Sequence, residues 1–319
     1  MQRRRGLPAA LSFALGVLAT AGAAQAAGPV ILTVFGAGTL AVPFRELDVA
    51  FQKRHPNVTV RAQFGGSVMM ARRIIDLHQP ADVLAVADYS VIPKYLFKTK
   101  AADWYAGFAR NAITFMYTDK SRFADQVTPQ NWYTYLARKR VEIGRSNPDT
   151  DPSGYQTVQM LELAQRHYHA PGLAAKILAN ASRANMRDTE TALISALQLG
   201  QIDYLAIYRS DALQHHMRYL KLPAEINLED PARSSEYATA VVHTKNGDLR
   251  GKPIIYALTI PKSAGHAREA ADYVAFVLGP EGQAIMAKSG FGTVKPAYAV
   301  NAEAMPASLR GLVEPWPGS

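Results

Sequence analysis

The chain has 319 residues and no cysteine, and its 35 basic and 26 acidic side chains give a formal charge of +9. Without cysteine, neither disulfides nor lipid attachment through a cysteine can stabilise or anchor the protein, so the fold depends on its core. A hydrophobic content of 48% at this length favours two hydrophobic cores over one. The charge excess is mild and no basic stripe is rich in aromatic residues, so the only class of partner that the composition argues against is nucleic acid.

The first 26 residues have the order of an export signal. Three arginines at residues 3–5 precede a short apolar stretch, which ends in Ala-Gln-Ala at residues 24–26. This order of basic, apolar and small-residue regions is typical of a cleavable signal, and the apolar stretch is short for a membrane anchor. We therefore predict a signal peptide over residues 1–26 and a periplasmic or other extracytoplasmic location.

The first part of the mature chain alternates β-rich runs with amphipathic helical stretches. Leu40, Phe44, Leu47 and Phe51 recur at intervals of three or four residues, which predicts one buried helical face. Strands followed by helices argue for α/β units around mostly parallel sheets. The predicted elements are strands 31–35, 58–64 and 82–87 and helices 44–54 and 68–77.

A strand at 112–117 begins a second series, which predicts a second lobe inserted into the first. We expect residues 27–112 and 228–319 to form lobe I and residues 113–227 to form lobe II, with a ligand cleft between them. The elements predicted after residue 140 are strands 141–144, 202–208 and 253–261 and helices 155–167, 189–199, 267–278 and 280–289.

Four loops share one design, in which a strand ends, small or acidic residues follow, and a helix begins. Glycine lets the backbone approach a ligand, and a helix N-terminus offers unpaired N–H groups to an anion. Helix capping alone is also a sufficient explanation of each loop taken singly. The loops are Gly36–Thr39, Gly65–Ser67, Asn147–Tyr155 and Arg187–Glu190.

Ordered motifs along nearly the whole mature chain resemble the molybdate- and tungstate-binding proteins of ABC importers, typified by archaeal tungstate-binding proteins. Among these motifs are FGAGTLAVPF, FGGSVMMARRIIDL, NPDTDPSGY and ALQLGQIDYLAIYRSDALQHH. The resemblance implies a type II periplasmic-binding-protein fold, with two α/β lobes joined by two hinge crossovers. It also implies ligand contacts at Gly38, Thr39, Ser67, Asp151, Pro152, Ser153, Glu190 and Tyr208. Thr39 stands where serine is typical, and it keeps the hydroxyl group.

Two of these residues, Asp151 and Glu190, are acidic, which is unexpected in an anion site because each carboxylate repels a dianion. The resemblance implies that their oxygens bond to the molybdenum or tungsten of the oxyanion and expand its coordination from tetrahedral to roughly octahedral. Carboxylate oxygen is a suitable ligand for such a hard metal centre. Sulfate and phosphate cannot readily expand in this way, so the two acids would select against them.

The expected function is therefore a solute-binding protein that passes molybdate or tungstate to a membrane permease. The resemblance implies a monomer without a cofactor and without enzymatic activity. One alternative is a binding protein for sulfate or phosphate. A distant alternative is an exported hydrolase that uses Asp151 and Glu190 as acid and base, although Gly65-Gly66-Ser67 lacks the G-x-S-x-G pattern of a nucleophile elbow.

Overall fold

The computed structural model describes residue 2 and residues 28–187 and 189–316. The predicted signal segment, apart from residue 2, lies outside these residues. The strands of the described chain are β1 (Val30–Ala37), β2 (Val58–Gly65), β3 (Val83–Val86), β4 (Tyr105–Arg110), β5 (Ile113–Tyr117), β6 (Ile143–Ser146), β7 (Met186–Arg187), β8 (Tyr204–Tyr208), β9 (Arg218–Tyr219), β10 (Val241–Thr244), β11 (Gly247–Arg250), β12 (Ile255–Thr259), β13 (Gly292–Val300) and β14 (Val313–Pro315). The α-helices are α1 (Ala41–Arg54), α2 (Ser67–Ile75), α3 (Trp132–Leu136), α4 (Pro152–His167), α5 (Leu173–Asn180), α6 (Glu190–Gln198), α7 (Arg209–Gln214), α8 (Ser234–Tyr237), α9 (Ala267–Leu278) and α10 (Pro280–Lys288).

The described strands form two main sheets, around which two lobes are built. The first sheet has the order β14-β13-β4-β12-β3-β1-β2, and the second has the order β7-β6-β8-β5-β9. We call the first sheet with its flanking helices lobe I and the second sheet with its helices lobe II. A separate hairpin of β10 and β11 lies between them in the sequence.

Both sheets are mixed, so the prediction of mostly parallel sheets is wrong. Strands β1, β2 and β3 are parallel, but β12 is antiparallel to both β3 and β4. In lobe II, β6 and β8 are parallel, while β5 is antiparallel to β8. The reason is the crossing of the chain between lobes: β12 enters the first sheet on its return from lobe II, and it therefore runs opposite to the strands that end at the lobe boundary.

The chain passes between the lobes at two adjacent places. Only two residues separate β4 from β5, and the return path reaches β12 through residues 220–254. The Asn111 N–H donates to the Ile254 carbonyl at 3.2 Å, and the Ile113 N–H donates to the Asn227 carbonyl at 2.9 Å. These bonds hold the two crossings side by side, as in a hinge. The residue boundaries given above for the lobes stay a prediction.

The predicted apolar face of α1 is buried in lobe I. Leu40, Phe44, Leu47 and Phe51 each have 0% exposed surface, which confirms the face that the spacing predicts. The Phe44 ring lies 6.3 Å from that of Phe108 in β4, so the helix packs directly on the sheet. Within the described part of the chain, every helix is too short or too polar to cross a bilayer.

Candidate functional site

The lobe I half of the candidate site lies where β1 and β2 end. These strands are parallel neighbours, and Ala37 is paired with Gly65, so the two loops that follow are adjacent. A 3-10 helix, Gly38–Leu40, follows β1, and Ser67 is the first residue of α2; neither helix has a side-chain hydrogen bond at its N-terminus. No side chain caps them, so their first N–H groups can face an anion, although the Met69 N–H in α2 donates to the Thr150 carbonyl at 3.4 Å.

Ser67 does not cap the helix that it begins. Its hydroxyl accepts a hydrogen bond from the Ala87 N–H at 3.0 Å, and its side chain is fully buried. Thr39 is also buried, with 1% of its surface exposed. The capping explanation therefore fails for the two loops of lobe I.

The lobe II half is built from the N-termini of α4 and α6, and capping does account for the local structure there. Asp151 is the N-cap of α4, with Pro152 in the first turn; its carboxylate accepts from the Ser153 hydroxyl at 3.0 Å and from the Ser153 N–H at 3.4 Å. Thr189 caps α6 by accepting from the Ala192 N–H at 3.2 Å. Glu190 is the first residue of that helix.

The two halves meet across the interlobe boundary, so the structure is closed. A methyl group on Gly66 would lie 2.6 Å from the Thr150 carbonyl oxygen and 3.2 Å from the Asp151 Cβ. A methyl group on Gly38 would collide with the Glu190 carboxylate. Only glycine permits this approach, which brings Asp151 and Glu190 against the two loops of lobe I.

The Glu190 carboxylate lacks a partner on one side. Its Oε2 atom is buried and has no hydrogen bond within the described chain. Burial, followed by the negative charges of Asp211 and Asp151, raises the pKa of Glu190 well above its usual range. Burial likewise raises the pKa of Asp151, although hydrogen bonds from Ser146 and Ser153 oppose the shift.

Asp211 is a third buried carboxylate at this site, and the sequence analysis did not identify it. It accepts a hydrogen bond from the Thr39 hydroxyl at 2.6 Å across the lobe boundary. Burial is the main reason that its pKa is raised to about 7, and the charge of Asp151 adds to the shift. Its position in the first turn of α7, three residues after Tyr208, was the available signal.

Tyr208 ends β8 and is fully buried. Its hydroxyl donates to Gln156 Oε1 at 2.8 Å, and the charges of Asp151 and Glu190 contribute to the increase in its pKa that burial causes. Tyr208 therefore lies near both acids, although its hydroxyl has a partner within lobe II.

A buried polar network at the hinge connects Asn111, through Ser210, to Thr39 of the candidate site. Asn111 donates from Nδ2 to the Ser210 hydroxyl at 2.8 Å and to the Tyr256 hydroxyl at 3.3 Å. Ser210 in turn lies 3.3 Å from the Thr39 hydroxyl. This network was not predicted from the sequence, because its members lie far apart in the chain and only the packing of the lobes brings them together.

Comparison with known proteins gives a family match over most of the chain. Residues 32–292 match the family described as bacterial extracellular solute-binding protein. A solute-binding protein of Petrotoga mobilis is 38% identical over 289 residues, which cover 89% of this chain and 90% of that protein. The molybdate/tungstate-binding protein of Thermococcus kodakarensis is 33% identical over 311 residues, covering 89% of this chain and 87% of that protein.

Solved structures with this fold confirm the predicted class. The periplasmic molybdate-binding protein of Azotobacter vinelandii superimposes with a TM-score of 0.63 at 18% identity, covering 83% of this chain and 100% of that structure. The sulfate-binding protein of Mycobacterium tuberculosis gives a TM-score of 0.60 at 15% identity, covering 84% of this chain and 88% of that structure. At these identities the likeness concerns the fold, a two-lobed periplasmic-binding-protein architecture.

Proposed function

The chain belongs to the family of bacterial extracellular solute-binding proteins, and we propose that it captures molybdate or tungstate between its lobes for delivery to an ABC importer. Relatives at 33% identity that are named molybdate/tungstate-binding proteins support this choice of ligand. The proposal includes export after cleavage of residues 1–26, a monomeric protein and a membrane permease as partner. It includes neither a cofactor nor catalysis.

The unpaired oxygen of Glu190 is the observation that carries the proposal. A buried carboxylate oxygen without a partner costs free energy, and a ligand that bonds to this oxygen would offset that cost. It faces Gly38, at a helix end whose N–H groups have no side-chain acceptor. A ligand that fits must therefore present anionic oxygens to lobe I and an electron-poor centre to the carboxylates of lobe II.

Oxyanions of molybdenum and tungsten meet both requirements. The N–H groups of Gly38, Thr39 and Ser67 would bind oxo groups, and Pro152, Ser153 and Tyr208 would enclose the ligand from lobe II. Asp151 and Glu190 would bond to the metal, for which carboxylate oxygen is a suitable donor.

Sulfate and phosphate do not meet the second requirement, because their central atoms do not accept carboxylate ligands. At about 4 Å and an effective dielectric constant near 20, each pair of unit negative charges costs about 4 kcal/mol. In their ionised form, the acids that bind a metal centre would therefore repel sulfate and phosphate. This repulsion is the proposed basis of selectivity against more abundant anions.

Calorimetric titration of the mature protein with molybdate, tungstate, sulfate and phosphate tests the proposal directly. We expect tight one-to-one binding of the first two anions only. Tight binding of sulfate or phosphate would favour the alternative function, a binding protein for a simple tetrahedral oxyanion. Product formation from model esters would favour the hydrolase instead.

The roles of the acids are tested by Asp151→Ala and Glu190→Ala. Each change should weaken molybdate binding and relax discrimination against sulfate, because it removes both a metal ligand and a repelling charge. Glu303→Ala is the control, since Glu303 is an exposed glutamate at the protein surface. If both single variants bind and discriminate like the parent, the proposed coordination is wrong.

A further inference from the structure

A buried hydrogen bond joins the lobes outside the candidate ligand contacts. The Tyr155 hydroxyl, on α4 of lobe II, donates to Asp88 Oδ2 in lobe I at 2.6 Å. Tyr155 is 3% exposed and Asp88 is 1% exposed, so water does not compete for this bond in the closed structure. Tyr155 also lies only two residues after Ser153, in the helical turn that begins at Pro152.

The acceptor is held in place by residues other than Tyr155. Asp88 Oδ1 accepts from the Ser90 N–H at 2.8 Å and from the Ser90 hydroxyl at 2.9 Å, while Lys252 Nζ lies 3.0 Å from Oδ2. Burial acts to raise the pKa of Asp88, but the charge of Lys252 and the hydrogen bonds outweigh it, so the pKa is below its usual value. Asp88 thus presents a fixed negative charge to the lobe boundary.

When the lobes separate, Asp88 keeps its contacts with Ser90 and Lys252 but loses its contact with Tyr155. Ser90 is close to Asp88 in the chain, and Lys252 lies three residues before β12 of the same sheet. Tyr155 moves with α4, and its hydroxyl exchanges the buried carboxylate for water. The bond therefore contributes free energy to the closed state alone, and hydrogen bonds to charged groups are stronger than those between neutral groups.

We propose that Tyr155 is a positioning residue that latches the lobes shut through Asp88 and aligns the first turn of α4 with the bound oxyanion. The inference rests on the proposed function, because it assigns the latch to closure around that ligand. Loss of the hydroxyl lowers the fraction of closed protein, and apparent affinity falls by the same factor where only the closed form binds tightly. Since the Tyr155 hydroxyl donates to Asp88, which is not a proposed ligand contact, selectivity among anions should not change.

Tyr155→Phe tests the latch, with Tyr204→Phe as the matched control. The Tyr204 hydroxyl is also hydrogen-bonded at 2.6 Å, but to the Arg122 carbonyl within lobe II. Titration and stopped-flow measurements with molybdate should show a dissociation constant about tenfold higher for Tyr155→Phe. The higher dissociation constant should result from faster dissociation, and the preference for molybdate over sulfate should equal that of the parent. Small-angle X-ray scattering of the ligand-free variant should show a larger radius of gyration.

Three results distinguish failure of the proposed latch from failure of the proposed function. An affinity of Tyr155→Phe within twofold of a parent that binds molybdate overturns the latch and leaves the proposed function intact. An equal loss in Tyr204→Phe also overturns it, because the effect is then general destabilisation. If the parent binds no oxyanion, the proposed function fails, and scattering decides the latch: a radius of gyration equal to the parent's overturns it, and a larger one supports it.

Discussion

Gly66→Ala should block closure while leaving each lobe folded. Gly66 precedes α2 with φ −57° and ψ 131°, a conformation that alanine adopts without strain. In the closed structure the added methyl group would lie 2.6 Å from the Thr150 carbonyl oxygen, which belongs to the backbone of the other lobe. Because a backbone atom cannot rotate away as a side chain can, the lobes themselves have to move apart.

The size of the effect follows from the cost of inserting a methylene into a packed interface, about 1–3 kcal/mol. This cost falls on the closed state only, so the dissociation constant for molybdate should rise by a factor of roughly 5 to 150. The free energy of unfolding of the ligand-free protein should be unchanged or slightly increased, because alanine restricts the unfolded chain.

Calorimetry with molybdate and urea unfolding without ligand measure the two quantities. Gly265→Ala is the control, since a methyl group there would have nothing within 4 Å. A dissociation constant for Gly66→Ala within twofold of the parent's would refute the claim that these two loops meet around the ligand. A large loss of ligand-free stability would equally contradict the reasoning.

Two further changes test the acidic groups. Gly38→Ala should displace the Glu190 carboxylate, with molybdate affinity falling about tenfold or more and urea stability hardly changing; an unaltered affinity would show that this carboxylate is not needed. Asp48→Asn, in the lobe I core, removes a carboxyl whose pKa burial raises to about 6, although a hydrogen bond from Tyr273 opposes the shift. Because a raised pKa makes folding less favourable as pH rises from about 4 to about 6, the variant should gain up to about 3 kcal/mol above pH 6 and nothing near pH 4. Urea unfolding at pH 4, 6 and 8 checks this, and a gain that does not vary with pH would contradict it.

Local patterns in the sequence were enough to predict most of the elements. The predicted helix 267–278 coincides with α9, and α1 differs from its prediction only by three extra residues at its start. The nine-residue strand β13 had no prediction. It carries Pro296, and its pairing with β4 shifts register between Thr293 and Tyr298, so it lacks the regular alternation of a strand.

In the candidate site too, features that are local in the sequence could be predicted, and contacts between residues far apart in the chain could not. Glycine-rich loops and acids at helix starts are local features that pointed to four loops, and the family resemblance then selected Gly38, Ser67, Asp151 and Glu190 as predicted ligand contacts. The Thr39–Asp211 hydrogen bond joins residues 172 positions apart, and pairings at such distances depend on how the lobes close. No spacing in a single sequence encodes them.

The distribution of charge between the lobes has a consequence for the order of binding. The two helix N-termini that follow the loops Gly36–Thr39 and Gly65–Ser67 have no side-chain cap and belong to lobe I, whereas Asp151, Glu190 and Asp211 all belong to lobe II. In the proposed binding mode, an anion that reaches the open protein can therefore bind to these N–H groups while the three carboxylates are still distant. Repulsion that would slow capture is postponed until closure, when the carboxylates reach a ligand that is already oriented. Under this proposal, lobe I attracts the anion and lobe II discriminates between anions.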